Sequence, residues 1–187
     1  MAEKRARGHE HLAVEPVSRL VFVDESGAHT KMTRWRGRAL GGRRLVAHIP
    51  QGHSQTSTLI SGMRLQGPCA PWLFEGPLNG EMFLAWVAPG LAPTLQKGDL
   101  VILDNWATHK IRGIREALEA AGARLLYLPP YSPDFNPLEK MWSKIKQLLR
   151  SQAPRTESAL LLATKTAFEA ISTADCRSYF FSAQYAI

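Results

Sequence analysis

Four uninterrupted apolar residues, Leu100-Val101-Ile102-Leu103, stand between two aspartates, Asp99 and Asp104. No polar residue alternates within the run, so both faces of the strand it forms must be covered. A strand of that kind belongs inside a sheet with helices packed on it. The surrounding sequence supplies those layers. Arg19 to Asp24 reads as another buried strand, stopping at the turn Asp24-Glu25-Ser26-Gly27. Arg43–Pro50 and Ser57–Leu65 read as further strands, with Gly41-Gly42 and Gln51-Gly52 marking turns. A helix is predicted over Asn79–Leu91, with Asn79 as its N-cap and Met82, Phe83, Trp86 and Val87 at helical spacing. From there the chain alternates: a helix over Lys110–Ala121 closed by Gly122, a strand over Arg124–Leu128, and helices over Pro137–Arg150 and Thr156–Ser172. Strands first, then alternating strands and helices, is the order of an α/β domain built on a central sheet.

The chain has 187 residues, about the length of one domain, and 45% of them are apolar, enough to bury a core. No window has the roughly 18 uninterrupted apolar residues of a membrane span. The N-terminus has no apolar signal segment, and the two cysteines, Cys69 and Cys176, form no paired metal or redox motif. A cytoplasmic setting, without membrane partners, is the expectation. Residues 1–18 read as a flexible leader, ahead of one domain over residues 19–187. His9-Glu10-His11 in that leader is read as incidental, because metal ligands need a rigid frame.

The formal charge is +7. A basic excess of this kind favours a polyanionic partner. Between Lys31 and Arg44 there are six basic residues and no acidic one, with Trp35 inside the run. Arg34, Arg36 and Arg38 could follow a phosphate backbone while Trp35 stacks on a base. A solvated hairpin touching nothing is the bland alternative. Lys140, Lys144, Lys146 and Arg150 make a second cluster.

Three acids stand out against this background. Asp24 and Asp104 each follow a buried strand, where the simpler role is to form a turn. Glu139 lies three residues after Asn136, with Pro137 between them, so Asn136 suits an N-cap, Pro137 the first helical position and Glu139 a capping box. On a helical wheel, however, Glu139, Ser143, Lys146 and Arg150 fall within about 60° of one another. Leu138, Met141, Trp142, Ile145, Leu148 and Leu149 fill a separate arc. Core packing needs the apolar arc but not the charged stripe. Three carboxylates in one cleft suit phosphodiester chemistry, in which two Mg²⁺ ions activate a nucleophile and stabilise the leaving oxygen.

These residues resemble the catalytic domain of mariner-like DDE transposases, in the bacterial insertion-sequence branch known as the six-thirty family. The matching pieces are Val23 to Gly27, Arg34 to Gly41, Leu103-Asp104-Asn105 with His109-Lys110, and Leu128 to Glu139 followed by Trp142 to Lys146. Thirty-four residues separate Asp104 from Glu139, the last-interval spacing of that superfamily. The block running from Leu128-Pro-Pro-Tyr-Ser-Pro to Asn-Pro-Leu-Glu139 is the specific part. The resemblance implies an RNase H-like fold, with a mixed five-stranded sheet flanked by helices. It implies that Asp24, Asp104 and Glu139 are catalytic and hold two Mg²⁺ or Mn²⁺ ions. The implied reaction is cleavage at the terminal inverted repeats of an element, then attack of the freed 3′-OH on target DNA, which relatives favour at a TA dinucleotide. His109 and Lys110 join Arg34, Trp35, Arg36, Arg38, Lys146 and Arg150 as candidate DNA contacts, with a helix-start or packing role equally open for His109. Glu25 and Asp134 do not match catalytic positions, and in a strand Glu25 would point away from Asp24.

Full-length relatives carry a helix-turn-helix region ahead of this domain, and the leader contains no such unit. An upstream helix-turn-helix portion and a homodimer are therefore expected partners, beside DNA in the nucleoid. Two other functions stay open at this level: a non-catalytic DNA-binding remnant, and a different RNase H-like nuclease. No P-loop, nucleophile elbow or zincin motif is present.

Overall fold

The computed structural model describes residues 15–34, 36–46, 48–51, 56–129 and 132–186. Most of the leader, the His9-Glu10-His11 triplet, Trp35, and Pro130-Tyr131 of the proline loop lie outside the described residues. Five strands form one mixed sheet: β1 (Leu20–His29), β2 (Thr56–Arg64), β3 (Gly67–Glu75), β4 (Leu100–Leu103) and β5 (Arg124–Tyr127). Their order is β3-β2-β1-β4-β5. The first three pair antiparallel, while β4 pairs parallel with both β1 and β5.

Side-chain alternation along β1 and β4 divides the core in two. Leu20, Phe22, Leu100 and Ile102 face one side, where they meet Leu138, Met141, Trp142, Ile145 and Leu149 of α3 (Leu138–Gln152), Leu160 and Phe168 of α4 (Glu157–Glu169), and Phe180 of α5 (Thr173–Ser182). Val21, Val23, Val101 and Leu103 face the other, covered by Phe83 and Trp86 of α1 (Gly80–Trp86) and Ile114 and Leu118 of α2 (Ile114–Ala120). Both faces of β4 are thus dry, as its unbroken apolar run requires.

Several expectations are corrected. β1 does not stop at Asp24. Its parallel pairing to β4 ends at Phe22 and Ile102, but its antiparallel pairing to β2 continues from Asp24 opposite Ser61 to His29 opposite Thr56. Arg43–Pro50 contains no strand among its described residues. Val46 is 73% exposed and Ile49 68%, so these side chains have the composition of a strand without a sheet face to bury them. The described residues of the basic run therefore form an irregular loop with a 3₁₀ turn at Leu40–Gly42, and no hairpin. The helix expected from Lys110 begins only at Ile114, because Gly113 sits at φ 101° and breaks it. Gly122, at φ 79°, does close that helix. Asn79 caps α1 as expected, its side chain accepting from the Met82 N–H, and the continuation to Leu91 is a π turn.

Two elements were not foreseen. β3 carries Pro68 and Pro71, which a strand tolerates at a sheet edge, and β3 is an edge. α5 opens with a Ser172–Asp175 capping box, a signal present in the sequence. No helix among the described residues is long and apolar enough to cross a membrane.

Candidate active site

The sheet register assembles the acids. β1 and β4 pair residue for residue at Leu20–Leu100, Val21–Val101 and Phe22–Ile102. Two steps further on, Asp24 and Asp104 stand side by side at the carboxyl end of the parallel pair, where open α/β sheets place their ligands. Both follow the alternation of Phe22 and Ile102, so both lie on the α3 side. Glu139, in the first turn of α3, closes the group. Asp24, Asp104 and Glu139 line one cleft of about 480 Å³ together with Asn105, Trp106, Leu128, Pro129, Ser132, Pro133 and Asn136.

Local structure fixes each acid differently. Asp24 Oδ1 accepts from the Glu25 N–H at 2.8 Å, and Oδ2 accepts from Asn136 Nδ2 at 2.9 Å. Burial, then the neighbouring Glu25 and Glu139 charges, pushes its carboxyl from 3.8 up to about 7. Pro137 already has helical angles, and Asn136 Oδ1 accepts the Leu138 N–H at 3.1 Å. Asn136 therefore caps α3, as its position in the sequence suggests. The full capping box does not form. The Asn136 N–H donates to the Pro133 carbonyl instead, which leaves the exposed Glu139 side chain to the cleft.

Asp104 is held through His109. This histidine is fully buried, with Nδ1 against Asp104 Oδ1 and Nε2 3.3 Å from Glu25 Oε2. Burial alone would lower its pKa, but the Asp104 and Glu25 carboxylates override this and raise it to about 10. The expectation that His109 touches DNA is corrected, since it has no surface to offer. The other described DNA candidates lie as follows. Arg34, Arg36 and Arg38 are exposed on the β1–β2 loop, while Lys146 and Arg150 are half-buried along α3. Lys110 is exposed, with Nζ 5.6 Å from the centre of the Tyr127 ring.

The sequence reading missed three cleft features. Trp106 is 68% exposed and forms part of the cleft wall two residues from Asp104. Ser132 Oγ is buried there without a hydrogen-bond partner among the described residues. Asn136 bonds Asp24 as well as capping the start of the helix. A polar residue in the proline loop was the available signal for the last two.

The donors suit a hard divalent cation. They are carboxylate oxygens, and the burial and neighbouring negative charges that raise Asp24 are offset by positive charge. Among the described residues, no three or more His, Cys, Asp or Glu side chains stand close enough together to hold an ion between them. Mg²⁺ keeps several waters and takes substrate phosphates as ligands, so an open arrangement fits it.

Residues 19–161 match the family model described as DDE superfamily endonuclease. The chain belongs to that family. No curated protein matches it by sequence. Among solved structures it is similar to Mos1 transposase in a paired-end complex with the left transposon end, with TM-score 0.74 and 16% identity over 97% of this chain and 58% of the other. The Mos1 mariner paired-end complex with Mn gives TM-score 0.76 and 18% identity, with the same two coverages. The Mos1 catalytic domain with raltegravir and Mn gives 0.69 and 16%, covering 97% and 86%. The fold is thus RNase H-like, and the chain spans less than three fifths of the Mos1 chains in the paired-end complexes.

Proposed function

We propose that this domain cleaves DNA at the ends of a mobile element and joins the freed 3′-OH to target DNA. The convergence of Asp24, Asp104 and Glu139 on one cleft, from three separate elements, carries this reading. Asp24, Asp104 and Glu139 would hold two Mg²⁺ or Mn²⁺ ions. When bound, such ions polarise the scissile phosphate and lower the pKa of the attacking hydroxyl. The residues around them do the rest. Asn136 and the Glu25 N–H orient Asp24, His109 orients Asp104, and the α3 cap aims Glu139. The relatives' complexes with transposon-end DNA support DNA as substrate.

The finer reading follows the motif block from Leu128 to Glu139. It assigns the chain to the six-thirty insertion-sequence branch, with residues 19–187 as the catalytic domain and an upstream helix-turn-helix portion reading the inverted repeats. A homodimer, a TA target and a cytoplasmic, nucleoid-associated location belong to the same proposal. Arg34, Trp35, Arg36, Arg38, Lys110, Lys146 and Arg150 are its DNA contacts.

The test is nicking of duplexes carrying the element's ends, with Mn²⁺ or Mg²⁺ and the helix-turn-helix portion supplied. Asp24→Asn, Asp104→Asn and Glu139→Gln should each lower the rate by at least about 10³-fold while the protein still binds DNA. Full activity in any one of them removes that residue from the site. Salt-sensitive binding without cleavage by the wild type would favour a regulatory remnant. Cleavage of RNA–DNA hybrids or junctions instead would favour another RNase H-like nuclease.

A further inference from the structure

We propose that Glu25 and the buried His109 form a tether that fixes the Asp104 carboxylate for metal binding, so that a residue on the far face of the sheet sets the affinity of the site. The proposal rests on the metal-dependent reading above. Asp24 and Glu25 are consecutive in β1, so their side chains leave opposite faces of the sheet. Asp24 enters the cleft, and Glu25 is absent from the cleft lining. Glu25 instead meets His109, whose other ring nitrogen meets Asp104. The imidazole is fully buried and packs on Phe83, ring centres 4.5 Å apart. The Tyr127 hydroxyl donates to the His109 carbonyl at 2.9 Å and holds the 3₁₀ turn that carries the ring.

Asp104 needs such a support. It is the first residue beyond β4, outside the ladder that fixes the rest of the strand. Its side chain takes one further bond, from the Trp106 N–H at 3.4 Å. A polar trio buried at His109 and half-buried at its two acids contributes little to net stability compared with apolar packing. Its consequence falls on the carboxylate at its end, much as the outer partners of metal ligands orient them. Glu25 and His109 are therefore positioning residues.

The experiment compares Glu25→Gln and Glu25→Leu in the purified chain without DNA. Mn²⁺ binding is read from the free-ion electron paramagnetic resonance signal, and the His109 ring N–H protons from NMR. Glu25→Leu should weaken Mn²⁺ binding about tenfold or more and shift or broaden the ring proton facing Asp104. Glu25→Gln, which keeps a side-chain oxygen beside Nε2, should restore both towards wild type. A folded Glu25→Leu protein with unchanged Mn²⁺ affinity overturns the tether. If Glu25→Leu does not fold, His109→Asn provides the same comparison, and wild-type affinity there overturns it equally. A wild type that binds no Mn²⁺ would sink the metal reading, and the ring proton would then decide the tether on its own.

Discussion

Asp24 is the residue where the fold works against itself. The register that brings it beside Asp104 also buries it near Glu25 and Glu139, and its carboxyl rises from 3.8 to about 7. The sign of the pH effect follows. Between these two values the native protein holds a proton that the unfolded chain has released, so metal-free stability falls as pH rises through that window. A divalent ion needs the ionised carboxylate, so metal and proton compete for Asp24. Calorimetric titration with Mn²⁺ between pH 5.5 and 8.5 should show affinity falling about tenfold per unit below pH 7 and levelling above it. Proton release on binding should approach one at the acid end and vanish at the alkaline end. Asp24→Asn should remove that pH dependence along with most of the binding. A flat profile in the wild type would mean that Asp24 is not a ligand.

At the scale of elements, Asn136 couples the start of α3 to the middle of β1. Its amide spends the oxygen on the helix cap and the nitrogen on Asp24. Asn136→Ala removes both bonds. It should cost about 1 kcal/mol, or roughly 2–4 °C in melting temperature, and move Asp24 further upward. Asn136→Asp keeps the cap but sets a fourth carboxylate against Asp24, so it should spare the helix and impair metal binding more. Thermal melts and the Mn²⁺ titration together separate the two roles. The cap was legible in the sequence because Asn-Pro before an apolar arc has a local meaning. The bond to Asp24, 112 residues away, has no local signal. The same contrast runs through the fold. β4 is legible because it is buried on both faces and its composition records that. β3 is not, because an edge strand with two prolines resembles a loop until a partner is present. Arg43–Pro50 has strand-like residues, and its exposure shows that composition without burial does not make a strand. Asp104 and Glu139 were legible as strand-end and helix-start residues, whereas Asp24 stands within β1, which runs on to His29. Between DNA contact and packing, His109 could not be assigned from sequence, which gives its distance from Asp104 along the chain but not the side of the sheet on which its turn folds; its burial decides for packing.

On the scale of the whole molecule, the net charge is +7, and two of its basic sets differ in construction. The β1–β2 loop presents Arg34, Arg36 and Arg38 exposed, whereas Lys146 and Arg150 lie half-buried along α3, continuing the stripe that begins at Glu139. An exposed arginine on an irregular loop can follow many backbone geometries. A cation held on a helix in line with the cleft can meet only DNA already seated there. The two sets should therefore differ in what they recognise. Replacing Arg34, Arg36 and Arg38 by alanine should weaken binding to any duplex, and the slope of log affinity against log salt should become shallower by about 0.9 for each phosphate that is no longer neutralised. Replacing Lys146 and Arg150 should reduce the slope by at most about 2 on the same scale. Its effect should be larger when Ca²⁺ occupies the acidic cleft and allows the strand to seat without cleavage. Binding isotherms from 50 to 300 mM salt, with and without Ca²⁺, measure both. If the Lys146 and Arg150 variant leaves the slope unchanged under both conditions, the α3 stripe does not face DNA and the cleft must be approached from the loop side alone.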